Sequence, residues 1–169
     1  MKKPLLAVLS VLILFSCAPV LRYDLMGKGI LNARLSELKE NPVSYREKLF
    51  ILGGIIVNTT VTKEGSLIEA IYVPVDFRGY LKSSGISNGR FLAIYKGFLD
   101  PVIFNQEREV TIAGIFKGTR TGNIGEMEYT YPFFEIEEIY LWEKRQDEYY
   151  PPYLYYPYWR YELWWHDYW

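Results

Sequence analysis

From residue 49 onward, apolar and polar positions alternate in short runs separated by turn residues, the period-2 pattern of half-buried strands. Leu49 to Val57 reads as a first strand, and the Gly53-Gly54 pair inside it predicts a bulge or tight bend. Lys63-Glu64-Gly65-Ser66 predicts a turn into a second strand, Leu67 to Val75, with Ile68, Ala70 and Tyr72 on one face and Glu69, Ile71 and Val73 on the other. Pro74 ends that strand near a sheet edge. Arg90 to Tyr95 forms a third, Glu109 to Phe116 a fourth with Gly114 inside it, and Met127 to Trp142 a fifth. In the last, Phe134 and Ile136 face one way and Glu135 and Glu137 the other, so one face is wet.

Ahead of the strands, Leu31, Leu35 and Leu38 recur at i, i+4 and i+7, and Asn41-Pro42 stops the pattern. This predicts one short amphipathic helix whose leucines pack on the domain. Ala18 to Gly29, with Pro19, Gly27 and Gly29, has neither period and reads as a tether. A single helix with five glycine-bent strands predicts a mainly β fold: a small five-stranded curved sheet or partly open barrel of OB-like character, with a two-sheet sandwich as the rival. Closure would remove most exposed strand edges.

The first residues have another kind of pattern. Met1-Lys2-Lys3 is a short positive start, Leu5 to Phe15 is an apolar run of signal length, and Leu14-Phe15-Ser16-Cys17 closes it. That closing tetrad resembles a bacterial lipobox: Leu14 three positions before the cysteine and Ser16 just before it fit, while Phe15 is bulkier than usual. Residues 1–16 are therefore expected to be a signal peptide and Cys17 the lipidated residue. No other segment approaches the roughly 20 consecutive apolar residues of a spanning helix, so the expected attachment is an anchor. Each buried acyl methylene contributes about 0.8 kcal/mol, and stable anchoring takes more than one chain. Ala18, where an Asp would resemble an inner-membrane retention signal, favours transfer to the outer membrane.

Composition changes this picture little. Cys17 is the only cysteine, so no disulfide is expected to help hold the mature domain. The formal net charge is -1, and removing Lys2 and Lys3 leaves -3, which gives no electrostatic reason to expect a nucleic-acid partner. The organisation that follows is a tether over residues 17–29, a β domain over 30–142, and a charged linker with an aromatic tail over 143–169.

That tail is the other unusual stretch. From Tyr149 to Trp169 more than half of the residues are Tyr or Trp, broken by Pro151, Pro152 and Pro157, and the prolines predict an extended first half. Tyr and Trp join an apolar body to a polar tip, so they favour bilayer interfaces. They also dominate binding hot spots and stack on sugars or peptides. Tyr158, Trp159, Trp164 and Trp165 are thus candidate ligand contacts.

The ordered set of segments also resembles a known family. These are Asn41-Pro42 with Tyr45, Gly53-Gly54-Ile55-Ile56, Ile68-Glu69 leading to Tyr72-Val73-Pro74-Val75-Asp76, and Ser87-Asn88-Gly89-Arg90-Phe91. Gly97-Phe98-Leu99-Asp100-Pro101, Arg108 with Val110-Thr111-Ile112-Ala113-Gly114, Ile124-Gly125-Glu126, Tyr129, Tyr131-Pro132 and Leu141-Trp142 follow in order. Together they resemble the Slp family of outer-membrane lipoproteins, named for starvation-inducible lipoprotein. The resemblance implies an envelope lipoprotein and carries over no catalytic residues.

A search for chemistry finds no nucleophile elbow, no phosphate-binding Gly-Lys-Ser/Thr loop, and no His-Glu-x-x-His or Cys-x-x-Cys pattern. His166 beside Asp167 lacks companion metal ligands. Glu126 and Glu128, two apart on an expected strand, would share a face as glycosidase carboxylates do, and as wet-face charges also do. Arg90 enters its strand from a polar loop and could hold an anionic ligand, or pair with Asp76 or Asp100 as a brace between loops. The function expected is a non-enzymatic, periplasm-facing structural or binding module of the outer membrane. Cell-wall or carbohydrate binding through the tail is the alternative, and a polymer hydrolase the less favoured one. No cofactor or metal is expected beyond the lipid on Cys17. The expected partners are the membrane through that lipid and an envelope protein or glycan, with no nucleic acid.

Overall fold

The computed structural model describes residues 18–82 and 89–144. Five strands, β1 (Leu49–Thr62), β2 (Gly65–Val73), β3 (Arg90–Tyr95), β4 (Glu109–Ile124) and β5 (Met127–Leu141), follow the helices α1 (Tyr23–Lys28), α2 (Leu35–Glu40) and α3 (Pro42–Tyr45). The strands close into a barrel in the order β1-β2-β3-β5-β4. Every pairing is antiparallel except β3 with β5. The expected OB-like barrel is therefore present and closed, not partly open, and β1 completes the circle by pairing with both β2 and β4.

Alternation fills the interior. Phe50, Leu52, Ile56, Ile68, Ala70, Tyr72, Phe91, Ile112, Phe116 and Phe134 form one buried core, closed over by Leu35 and Leu38 of α2. Phe134 is its hub, with ring centroids 5.8 Å from Phe50, 5.8 Å from Phe91 and 5.4 Å from Phe116. Tilted and edge-to-face contacts of this kind add to area burial.

Gly53 and Gly54 do not form the expected bulge. Both stay in register with β2 and β4, and the β1 irregularity falls between Ile56 and Asn58. They are small because neighbours crowd them: a Cβ on Gly53 would meet Leu81 and the Val73 carbonyl, and one on Gly54 would lie 2.9 Å from Ala70. Gly114, by contrast, does sit at a register shift.

The N-terminal expectation changes most. Residues 18–29 are not a free tether, and one predicted helix becomes three short ones. Leu21 and Leu25 of this segment cover Ile51, Val75 and Ala113 on the outside of the barrel, forming a second buried cluster. Ile30 then bridges β1 in parallel, its N–H donating to the Leu49 carbonyl at 2.9 Å and its carbonyl accepting from Ile51 at 3.0 Å. The leucine stripe divides accordingly. Leu31 packs on the outer cluster and Leu35 and Leu38 on the inner one, with Asn32 at φ 55 turning the chain between them. Asn41-Pro42 does end α2, and Pro42 starts α3, where a missing N–H costs nothing.

Candidate functional site

Of the residues singled out from sequence, Cys17, Tyr158, Trp159, Trp164, Trp165 and His166 lie outside the described residues. Arg90 lies within them and takes neither expected partner. Its guanidinium donates to the Glu69 carboxylate at 2.8 Å. Arg90 is paired in register with Ile71, so Glu69 is its diagonal neighbour across the β2–β3 ladder. Asp76 instead accepts from the backbone N–H groups of Arg78 and Tyr80, and Asp100 from Val102. The brace therefore joins two strands rather than two loops.

A polar cluster grows from this pair. Tyr131 donates to the same Glu69 oxygen at 3.2 Å. The Tyr129 hydroxyl accepts from the Arg90 backbone N–H at 3.0 Å and from the Lys39 ammonium at 2.9 Å, so α2 is tied to β3 and β5. The two tyrosine rings meet edge to face at 4.6 Å. Burial alone would raise the Tyr129 phenol, but the Lys39 ammonium and the Arg90 N–H outweigh it and lower the group. Tyr131 goes the other way, raised by burial and by the Glu69 charge. The cluster spends its hydrogen bonds on itself and braces the barrel wall. Tyr129 and Tyr131 share a strand face by alternation, the one signal of this cluster in the sequence; Lys39 gave none.

Glu126 and Glu128 do not form a carboxylate pair on one strand. Glu126 occupies the two-residue turn between β4 and β5, after Gly125 at φ 60, and both side chains are exposed. Among the described residues no group of three or more His, Cys, Asp or Glu is placed to hold a metal, and no helix is long and apolar enough to cross a membrane.

The feature that sequence reasoning missed is the meeting of the two described chain ends. The Val20 N–H donates to the Arg78 carbonyl at 2.9 Å, and the Arg22 backbone N–H to Glu138 at 3.0 Å. On the other side of the 76–80 turn, the fully buried Thr111 hydroxyl donates to the Gly79 carbonyl at 2.8 Å and accepts from the Trp142 indole at 3.0 Å. The Trp142 ring packs on Tyr80 with centroids 5.2 Å apart. One short turn thus holds the segment that follows Cys17 and the residue that precedes the aromatic tail. No periodicity could announce it, because the contact is between distant loops.

A family model described as the outer membrane lipoprotein Slp family matches residues 14–167. An uncharacterized protein of Haemophilus influenzae is 32% identical over 123 residues, 68% of this chain and 66% of that protein. The outer membrane protein Slp of Escherichia coli is 33% identical over 96 residues, 56% of this chain and 50% of that protein. The chain thus spans about half to two-thirds of these relatives. Among solved structures, the yeast mitochondrial single-stranded DNA binding protein Rim1 aligns at a TM-score of 0.34 and 10% identity, covering 56% of this chain and 93% of that one. A likeness that loose carries no argument about function.

Proposed function

The chain belongs to the outer membrane lipoprotein Slp family, and from that premise we propose that it is a non-enzymatic module held by lipid on Cys17 and facing the periplasm. The observation that carries this reading is that the family match begins at Leu14, inside the lipobox-like tetrad, and runs through the barrel into the tail. The absence of a nucleophile, phosphate or metal motif in the sequence is consistent with a structural or binding role. Its partners on this reading are the membrane and an envelope protein or glycan, with the Tyr/Trp tail as the candidate contact and no nucleic acid.

Fractionation of cells carrying wild type and Cys17→Ala, with an inhibitor of lipoprotein signal peptidase as control, tests the anchor. Wild type is expected in the outer membrane and Cys17→Ala in the soluble periplasm. Wild type in the soluble fraction overturns the reading. Turnover of cell-wall fragments that disappears in Glu126→Gln overturns the non-enzymatic part.

A further inference from the structure

We propose that the surface formed by Pro19, Tyr23, Met26, Gly27, Phe77 and Arg78 seats in the interfacial layer of the phospholipid bilayer, so that the barrel stands on its membrane in a fixed orientation instead of swinging on a tether. The proposal rests on the lipid anchor at Cys17.

Chain length supplies the first argument. Val20 is bonded to Arg78, and Leu21 is buried at 3% exposure in the outer cluster. Three residue steps separate Cys17 from Val20, a reach of roughly 10 Å even when fully extended. A lipid on Cys17 therefore brings this end of the barrel to within the depth of the headgroup layer.

The chemistry of the surface supplies the second. Tyr23 is 82% exposed and Phe77 70%, and they line one open groove of about 290 Å³ with Pro19, Met26, Gly27 and Arg78. The Arg78 guanidinium lies 5.0 Å from the Phe77 ring centre. Aromatic rings beside a long cationic side chain suit a zone that is apolar below and charged above.

Phe77 is also held outward by a stiff support. The Asp76 carboxylate accepts from Arg78 and Tyr80 at 2.8 and 2.9 Å, and the Asp76 N–H donates to the Tyr80 carbonyl at 2.9 Å. Beneath them Thr111 holds the Gly79 carbonyl. Such a turn keeps the ring from folding onto its own barrel. From the Thr111 level, the β4–β5 ladder runs on through two register shifts, at Gly114 and at Gly118, to the Ile124–Met127 pair at its far tip. The hairpin carrying Glu126 and Met127 consequently extends away from the bilayer.

The test uses the full lipidated chain. Gly27 is the labelling position, because a Cβ added there meets nothing within 4 Å and the substitution leaves Tyr23 and Phe77 in place. Gly27→Cys and Met127→Cys are each given a nitroxide on the new thiol, Cys17 being blocked by its thioether. The proteins are reconstituted in phosphatidylethanolamine/phosphatidylglycerol vesicles, and collision rates with oxygen and with a water-soluble nickel chelate are measured. The oxygen-to-nickel ratio is expected to be several-fold higher at 27 than at 127, and to fall to the 127 value when Tyr23→Ser and Phe77→Ser are added. Equal ratios at the two positions in chains whose intact mass includes the lipid overturn the proposal. So does a label at 27 shielded from both reagents, which would place the protein's own chain in the groove. A mass lacking the lipid instead refutes the anchor, and this proposal falls with it.

Discussion

Trp142 donates its indole N–H to the buried hydroxyl of Thr111 at 3.0 Å, and that same hydroxyl donates to the Gly79 carbonyl at 2.8 Å. One side chain therefore satisfies groups from the last described residues and from the turn that receives the N-terminal segment. The buried Gly79 carbonyl in particular needs it, because a buried polar group without a partner costs more than a hydrogen bond contributes.

Thr111→Val keeps the shape and removes both bonds. It is expected to lower unfolding free energy by about 1–3 kcal/mol, whereas Thr111→Ser keeps the hydroxyl and loses only a methyl. Urea unfolding followed by far-ultraviolet circular dichroism measures both, and where the four tail tryptophans are replaced by Phe the Trp142 emission should shift to the red in the valine variant alone. A valine variant as stable as wild type would show that the junction is held by packing.

Gly65 follows the β1–β2 turn at φ 132, and a Cβ there would collide with the Tyr95 carbonyl. Gly65→Ala therefore meets both backbone strain and a clash with backbone that cannot swing away, at a cost of about 1–3 kcal/mol for the strain alone. Thermal unfolding should show the loss in Gly65→Ala and little change in Gly27→Ala, where φ is ordinary and space is open.

How far the sequence reveals this molecule depends on the range of the interaction. Strand β2 is legible because burial alternates along it, with Ile68, Ala70 and Tyr72 inward and Glu69 outward, and β5 is legible over Phe134 to Glu137, where the same alternation holds. The two β4 and β5 arms run beyond the barrel as one hairpin, and the β4 arm escapes the pattern because after Phe116 it has no core to face and its Thr, Arg and Asn carry no apolar period. Helix α1 escapes because Leu21 and Leu25 cover the outside of β1 and β4, a surface that exists only after the barrel has closed. Arg90 was legible as a brace and its partner was not, since register alone decides which carboxylate lies diagonal to it.

Tyr129 and Tyr131 should titrate in opposite directions from the ordinary tyrosine range. Burial acts to raise both, but Tyr129 also faces the Lys39 ammonium and is lowered, whereas Tyr131 faces the Glu69 charge and is raised. In 13C-tyrosine-labelled protein, Tyr129 is expected to ionise first. Lys39→Met should move it upward and leave Tyr131 nearly unchanged. A Tyr129 unaffected by that substitution would mean that Arg90, through its N–H and its charge, is what offsets burial there.

Glu135 provides the acid-side counterpart. Its carboxylate is held below the ordinary value of 4.5 by the hydrogen bond from Lys96, against the opposing effect of burial, with the Lys96 and Lys117 charges adding to it. The folded state therefore binds the proton less readily than the unfolded chain. The resulting stabilisation is fully present above the unfolded value and is lost as pH falls through the lower, folded one. Lys96 is largely exposed, so the pair contributes no more than about 1 kcal/mol and weakens in salt. Glu135→Gln is expected to be less stable than wild type by that amount at pH 7, with the gap shrinking below about pH 4.5 as wild type loses the same charge. Urea midpoints at pH 7 and pH 3 measure it. A gap that stayed constant between those conditions would assign the loss to packing of the side chain, because only an ionised carboxylate can respond to protons in this window.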